Sequence, residues 1–497
     1  MLRYIGVICI IFKSILRYSV ANLANALLSF FSAQIVTLLV VPEVFGQFSM
    51  FSMITSLATW IIPLGTMNAI FRHYYELNDV NYRNSLIISS LQISVTSYLV
   101  FCGLILSLKS SFLKLIYGTL KIDELTITFT ITSLLVFVLF DLLSSYYLSI
   151  LRLVEKSGTY LIYTLSKNVL NIFFSITFLV FFQRSVLSLI ISSAISTVIC
   201  FVVFFIITSN QIQNNSSLKK LLYIDISTWN KLIRYGLPFV PTIVLSWIFG
   251  SMDRMALRIF SDFNDIGIYS IGSKISSILT VLVSGFNTFW APFAMKKYVA
   301  EKEANSNFFK KVSELTCTLT LFVLVSSILL FRLVVKLFPK SYSHAVGISI
   351  LLSTMPALNF LRQALDVGID FSGKTYWHPI ISLIAVSSNY VLNMIFVPHY
   401  KSLGAAFASA VSMVVSVFVS SIISERLFKK GYNLTKFWIS FTVIFVGLVL
   451  SSLTSNIYFN IILTLALFLM IYLVFYNETI MMLELIISSL MKKSVKN

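Results

Sequence analysis

An all-α polytopic membrane protein is the fold class this sequence predicts, and three observations carry that expectation. The 497 residues are 58% hydrophobic and only 11% charged, with a mean hydropathy of +0.90. A soluble chain of this size would carry roughly a quarter charged residues. Apolar runs of about twenty residues recur from end to end, each long enough to cross about 30 Å of hydrocarbon. The runs are continuous and do not alternate in and out, which excludes a transmembrane barrel.

Reading the runs between polar breaks gives about fourteen spans. They fall near 20–41, 46–69, 85–107, 125–149, 158–182, 185–208, 236–258, 266–291, 314–337, 345–368, 377–397, 403–424, 437–454 and 458–484. The opening "MLRYIGVICIIFKSILRYSV" has a basic flank and a short apolar stretch but no small-residue cleavage site. It reads as a retained interfacial segment ahead of the first span. Cys9, Cys102, Cys200 and Cys317 are scattered singly, without metal-ligand spacing, and read as small core residues. The histidines, His73, His344, His378 and His399, lie apart near span ends and assemble no catalytic or metal constellation.

Basic residues orient the spans. With the N-terminus inside, the inner ends and loops hold 25 Lys and Arg against 8 at the outer ends; Lys167, Arg254, Arg258 and Lys274 lie within spans and complete the 37. Both termini are therefore expected in the cytoplasm. The net charge of +18 is an orientation and lipid-surface signal, and nucleic acid is not expected as a partner.

Two landmarks recur in the same order. "RYSVANLANALLSFF" from Arg17 leads to "PEVFGQFSMF", and "RYGLPFVPTIVLSWIF" from Arg234 leads to "FNDIGIYSIG". Each ends in Gly-x-aromatic-Ser, at Gly46, Phe48, Ser49 and at Gly267, Tyr269, Ser270. Six spans separate the copies, so the halves are expected to be parallel six-helix lobes around a central cavity, with an appended helix pair. The expected boundaries are 1–210 for the first lobe, 211–235 for a cytoplasmic connection, 236–426 for the second lobe and 427–497 for the pair and tail.

A shared cavity predicts polar stripes at helical spacing. The first span carries Asn22, Asn25, Ser29 and Ser32; the second Ser49, Ser52, Ser56 and Thr59, then Pro63. The seventh carries Thr242, Ser246, Gly250, Asp253, Arg254 and Arg258; the eighth Ser270, Lys274, Ser277, Ser284 and Asn287. A charge near the bilayer centre costs on the order of 3 kcal/mol, so Asp253, Arg254 and Lys274 would cost roughly 10 kcal/mol facing lipid. They are either a structural ion pair or a cationic cavity wall with one titratable acid. Arg258 either shares that wall or snorkels to the surface. Asp141 and Lys167, near the midplane of spans four and five, form either a structural pair or part of ion coupling. Arg362, Asp366 and Asp370 read as an interfacial charge ladder. Pro238 and Pro241 weaken the first turn of span seven, a flexing point for a moving bundle.

The stretch "DRMALRIFSDFNDIGIYSIGSKISSILTVLVSGFNTFWAPF", Asp253 to Phe293, resembles the polysaccharide-transporter branch of the multidrug/oligosaccharidyl-lipid/polysaccharide exporter superfamily. The matching residues are Asp253-Arg254, Gly267 to Ser270, Lys274 and Trp290-Ala291-Pro292, and Val20 to Phe51 resembles the same family's first hairpin. The resemblance implies an O-antigen or capsule-repeat flippase, not an enzyme. Such a protein moves undecaprenyl-pyrophosphate-linked oligosaccharide across the bacterial inner membrane by alternating access. It further implies drive by an ion gradient and no bound cofactor. The stripes and buried charges themselves make Asp253, Asp141 and Lys167 the candidates for proton or sodium coupling, and Arg254, Lys274, Asn22, Asn25, Ser270, Ser277 and Arg258 the candidates for substrate contact. Membrane lipids, a polysaccharide polymerase and chain-length proteins are the implied neighbours. Two other readings compete. A multidrug exporter of the superfamily would favour acidic cavity residues, and a membrane polymerase or ligase would need a long outer loop, where every outer loop here is short.

Overall fold

Backbone amides and carbonyls cannot go unpaired in hydrocarbon, so each apolar run closes its hydrogen bonds within a helix. The computed structural model describes residues 23–484 apart from 78, 119–121, 155, 210–224, 430, 432 and parts of 281–305. Asn22 and Cys9 therefore lie outside the described residues. Eleven described helices are long and apolar enough to span a membrane. They cover twelve of the expected runs, because the 51-residue Trp377–Leu427 holds two, bent at Lys401 (φ 48°). The other two runs fall on the 17-residue helix Leu23–Leu39 and on a stretch described only in part.

The chain forms two compact units, residues 1–258 with 262–267, and residues 259–261 with 268–497. The first thus includes all of expected span seven and the first two residues of expected span eight, where 1–210 was expected for a lobe. It comprises α1 (Leu23–Leu39), α2 (Pro42–Ile61), α3 (Thr66–His73), α4 (Val80–Ser107), α5 (Lys109–Tyr117), α6 (Glu124–Leu153), α7 (Ser157–Phe181), α8 (Val186–Ser209), α9 (Ile226–Gly236) and α10 (Val240–Phe260). Pro238 lies in a 3-10 turn, Leu237–Phe239, between α9 and α10.

Span two does not continue to residue 69. After Ile61 the chain passes Pro63, then Leu64 (φ 49°) and Gly65 (φ 72°), both left-handed, before α3 begins. A side chain at Gly65 would meet the Gly236 carbonyl oxygen at 2.2 Å, so two glycines let the α2–α3 break and the end of α9 touch. The break is pinned from inside by a knot of hydroxyls. Thr66 donates to the Pro63 carbonyl at 2.7 Å, and Ser90 donates to Thr66 at 2.7 Å. Tyr146 of α6 sits within 3.0 Å of Thr66, Ser90 and Ser94. All four residues are buried.

The two repeat landmarks meet inside this unit. A Cβ on Gly46 would lie 1.9 Å from the Phe263 carbonyl oxygen, and one on Gly267 would lie 2.0 Å from that of Pro42. Pro42 is four residues before Gly46, and Phe263 four before Gly267, so the crossing is reciprocal.

The second unit holds α11 (Phe263–Ser276, from Ile268 on), α12 (Ser306–Val335), α13 (Ala345–Leu352), α14 (Thr354–Leu365), α15 (Val367–Phe371), α16 (Trp377–Leu427), α17 (Leu434–Leu453) and α18 (Ile457–Val474). The appended pair α17–α18 is fixed to α12 by Arg332. Its guanidinium donates to the Ser451 carbonyl at 2.5 Å and the Thr454 carbonyl at 2.6 Å, closing the open C-terminal end of α17. At the other end Lys436 pairs with Glu478 at 3.0 Å and lies over the Phe475 ring. Arg362 and Asp366 do not form an interfacial ladder. They pair at 3.0 Å with Asp366 buried, and Arg362 reaches Ser416 of α16 because α14 packs directly against that helix. Asp370 pairs separately with His378.

Removing the Tyr146 hydroxyl (Tyr146→Phe) should cost about 1 kcal/mol, the scale of interhelical hydrogen bonds in membranes. Arg332→Ala should cost more, since it uncovers two helix-end carbonyls at once. Thermal unfolding of the detergent-solubilised protein checks the order: both midpoints fall, that of Arg332→Ala further.

Candidate functional site

The break after α2 leaves space. A cavity of about 560 Å³ opens in the first unit where α2 and α6 end and α7 and α10 begin, within the size range of small-molecule sites. Thr59, Trp60 and Pro63 supply one wall, with Asn68 of α3 below them. Ser145, Ser149 and Arg152 of α6 form a second wall, and Thr242 and Ser246 of α10 a third. Of the stripes expected on spans two and seven, Thr59 with Pro63 and Thr242 with Ser246 line this space. Trp247 of α10 holds the two helices together, donating to the Met53 carbonyl at 3.1 Å and lying 3.3 Å from the Ser56 hydroxyl.

Four of the lining hydroxyls are pre-satisfied as donors. Thr59 donates to Ser56, Ser145 to Asp141, Ser149 to Ser145 and Ser246 to Thr242, each to a carbonyl three or four residues back. Their oxygens keep acceptor capacity, so these walls favour a ligand rich in donors.

Along α6, Asp141, Ser145, Ser149 and Arg152 follow i, i+4, i+8, i+11 spacing, a stripe about 16 Å long. At its far end Lys167 meets Asp141 at 2.5 Å, both side chains about a quarter exposed, with the ammonium 5.9 Å from the Phe137 ring centre. Beside it Asn168 donates to Asn25 of α1 at 2.8 Å. At the near end Arg152 donates to Ser149 at 3.2 Å and stacks over Phe71, with no carboxylate partner among the described residues. Arg152 was missed by the sequence reading, which counted it as an inner-loop charge; the spacing from Asp141 is the signal that locates it.

Other expected site residues are placed differently. Asp253 is buried and Arg254 half-buried on α10. Arg258 donates to the Leu115 and Lys114 carbonyls at 3.2 and 2.9 Å and lies over Phe263, so it closes the end of α5. Ser270, which is buried, and half-buried Lys274 are in the second unit. Ser277 follows in a 3-10 turn and donates to the Lys274 carbonyl at 2.6 Å.

A family model described as "Polysaccharide biosynthesis protein" matches residues 11–298, more than half of the chain. The chain belongs to the polysaccharide biosynthesis protein family. No curated protein matches it. Among solved structures, a lipid II flippase, MurJ, in an inward closed conformation is similar at a TM-score of 0.68 and 17% identity, over 93% of this chain and 99% of that one. An inward-facing multidrug resistance MATE family transporter of the MOP superfamily follows at 0.58 and 13%, over 83% and 94%. The Vibrio cholerae MATE transporter VcmN gives 0.55 and 15%, over 83% and 96%. The chain shares its fold with all three.

In this polysaccharide biosynthesis protein, α9 is strapped across the unit close to the cavity. Asp225 caps its start, accepting from the Ser227 and Thr228 amides. Lys231 reaches Glu76 and Tyr82 at 2.7 Å, and His73 meets Glu76 at 2.8 Å. Glu76 lies outside the spans, and its bonds to Lys231 first and His73 second hold its carboxyl near about 2, below the usual 4.5. A depressed carboxylate stabilises above the unfolded value and loses that contribution as pH falls through the folded one. Protection of the α9 amides against hydrogen exchange should therefore hold down to about pH 4.5 and decline between 4.5 and 2. Glu76→Gln should abolish that decline.

Proposed function

We propose that the protein is a flippase for undecaprenyl-pyrophosphate-linked oligosaccharide, an O-antigen or capsule repeat unit. It works by alternating access in the bacterial inner membrane, with both termini cytoplasmic. Family membership and likeness to a lipid II flippase support the class. The observation that carries the reading is the first unit's cavity, lined by hydroxyl oxygens, an amide and Arg152, with no carboxylate among its described lining. That lining suits an anion with a polyhydroxyl head. It favours such a substrate over the cationic drugs of a multidrug exporter, which would call for acid groups. Arg254 and Lys274 are proposed to add cationic surface to the substrate path, with Asn22, Asn25, Ser270 and Ser277 as polar contacts. A polysaccharide polymerase and chain-length proteins would take the delivered product.

Ion coupling is assigned to Asp141 with Lys167, and to Asp253. A partly exposed ion pair in a membrane span can exchange its partner for a proton or sodium ion at modest cost, whereas a sealed pair cannot. The test is surface polysaccharide together with transport in proteoliposomes. Arg254→Ala and Lys274→Ala should each abolish surface polymer while the protein stays in the membrane. Asp141→Asn should reduce transport to the level of wild type with its proton and sodium gradients collapsed. Normal polymer in both cation variants would remove those residues from the path, and an unchanged gradient response in Asp141→Asn would remove that pair from coupling.

A further inference from the structure

Trp60 and Arg152 stand on different walls of the same cavity, and each has binding capacity that the described residues do not use. Trp60 is 51% exposed although it lies at the end of a membrane helix. Its indole N–H and ring face have no partner among the described residues. By contrast Trp229, Trp247, Trp290 and Trp438 all point the same group at a protein acceptor. The Asn68 amide, exposed on the floor between them, makes no side-chain bond either. Arg152 places one terminal nitrogen on a hydroxyl, and its other donors have no hydrogen-bond partner among the described residues.

These groups match two halves of one ligand. An indole has an electron-rich face against which the C–H edges of a sugar ring can lie, and a donor at its rim for a ring hydroxyl. A planar guanidinium with free donors matches phosphate oxygens in a bidentate geometry. Hydroxyl oxygens already satisfied as donors then accept from the remaining sugar hydroxyls.

We propose that this cavity is a sugar-pyrophosphate subsite in which Arg152 holds the phosphate and Trp60 is the platform for the first sugar, with Asn68 bonding its hydroxyls. The proposal rests on the flippase reading and adds a division of labour to it: charge recognition belongs to α6, and glycan recognition to the end of α2. Trp60 then decides whether a glycosylated lipid is preferred over the bare prenyl pyrophosphate.

Binding of three probes to the purified full-length protein tests this: farnesyl pyrophosphate, farnesyl diphosphate bearing N-acetylglucosamine, and the soluble nucleotide sugar UDP-N-acetylglucosamine. Wild type should bind both prenyl probes, the glycosylated one more tightly, and the soluble one far more weakly. Arg152→Ala should weaken both prenyl probes about tenfold or more, as expected for loss of a charge-assisted bond. Trp60→Ala should weaken only the glycosylated probe, by about threefold to tenfold, and Trp60→Phe should restore most of that loss because it keeps an aromatic face. Equal weakening of both prenyl probes by Trp60→Ala, or of neither, overturns the platform. Unchanged binding in Arg152→Ala overturns the phosphate contact. Tighter binding of the soluble nucleotide sugar than of the prenyl probes overturns the lipid-linked assignment. Failure of wild type to bind any probe sinks the flippase reading itself, a result distinguishable from all of these.

Discussion

The break in the second membrane helix at Pro63–Gly65 is the constraint on which the first unit depends. A helix interrupted in or near hydrocarbon must find other partners for its freed backbone groups. Here the Pro63 carbonyl takes the Thr66 hydroxyl, and Thr66 is locked by Ser90 and Tyr146 from two other helices. The left-handed backbone at Gly65 is tolerated because the approaching segment also presents a glycine, Gly236. With the break in place, Trp60 and Pro63 before or at it and Asn68 after it line a common space. The cavity is thus made by a defect in one helix that three others repair.

Much of this was legible in the sequence, and the limits have physical causes. Span positions follow from hydropathy, and the polar faces of α2 and α10 follow from helical periodicity, so Thr59, Thr242 and Ser246 could be expected on one surface before any fold was known. The end of α2 could not. The break is held by Thr66 against Tyr146, 80 positions away, and by Gly65 against Gly236, 171 positions away, and local sequence around Pro63 equally allows a kinked, continuous helix. The partners of Arg258 and Arg332 were beyond the sequence for a related reason. Depth in the membrane says what a charge costs in lipid, but not which carbonyls a long side chain will reach. Both guanidiniums close helix C-termini, Arg258 that of α5 and Arg332 that of α17.

The repeat landmark has a structural use that its sequence form does not reveal. Gly46 and Gly267 are small because each lies against the backbone four residues before the other, so neither can grow without moving both helices. The corresponding glycines of the two landmarks meet face to face within the first unit.

The cations of the first unit show how function separates from structure in a greasy protein. Each must be neutralised or wetted, since an unpaired charge in hydrocarbon is costly. Lys167 is neutralised by Asp141, Lys231 by Glu76 outside the spans, and Arg258 by the carbonyl end of α5. These groups are settled by the protein itself. Among the described residues, Arg152 meets a hydroxyl, an aromatic ring and the open cavity beside it. A side chain left in that condition, next to an indole with its own donor unused, retains interaction energy that the folded chain does not consume. It is at such positions that a ligand carrying negative charge and hydroxyl groups gains most by entering.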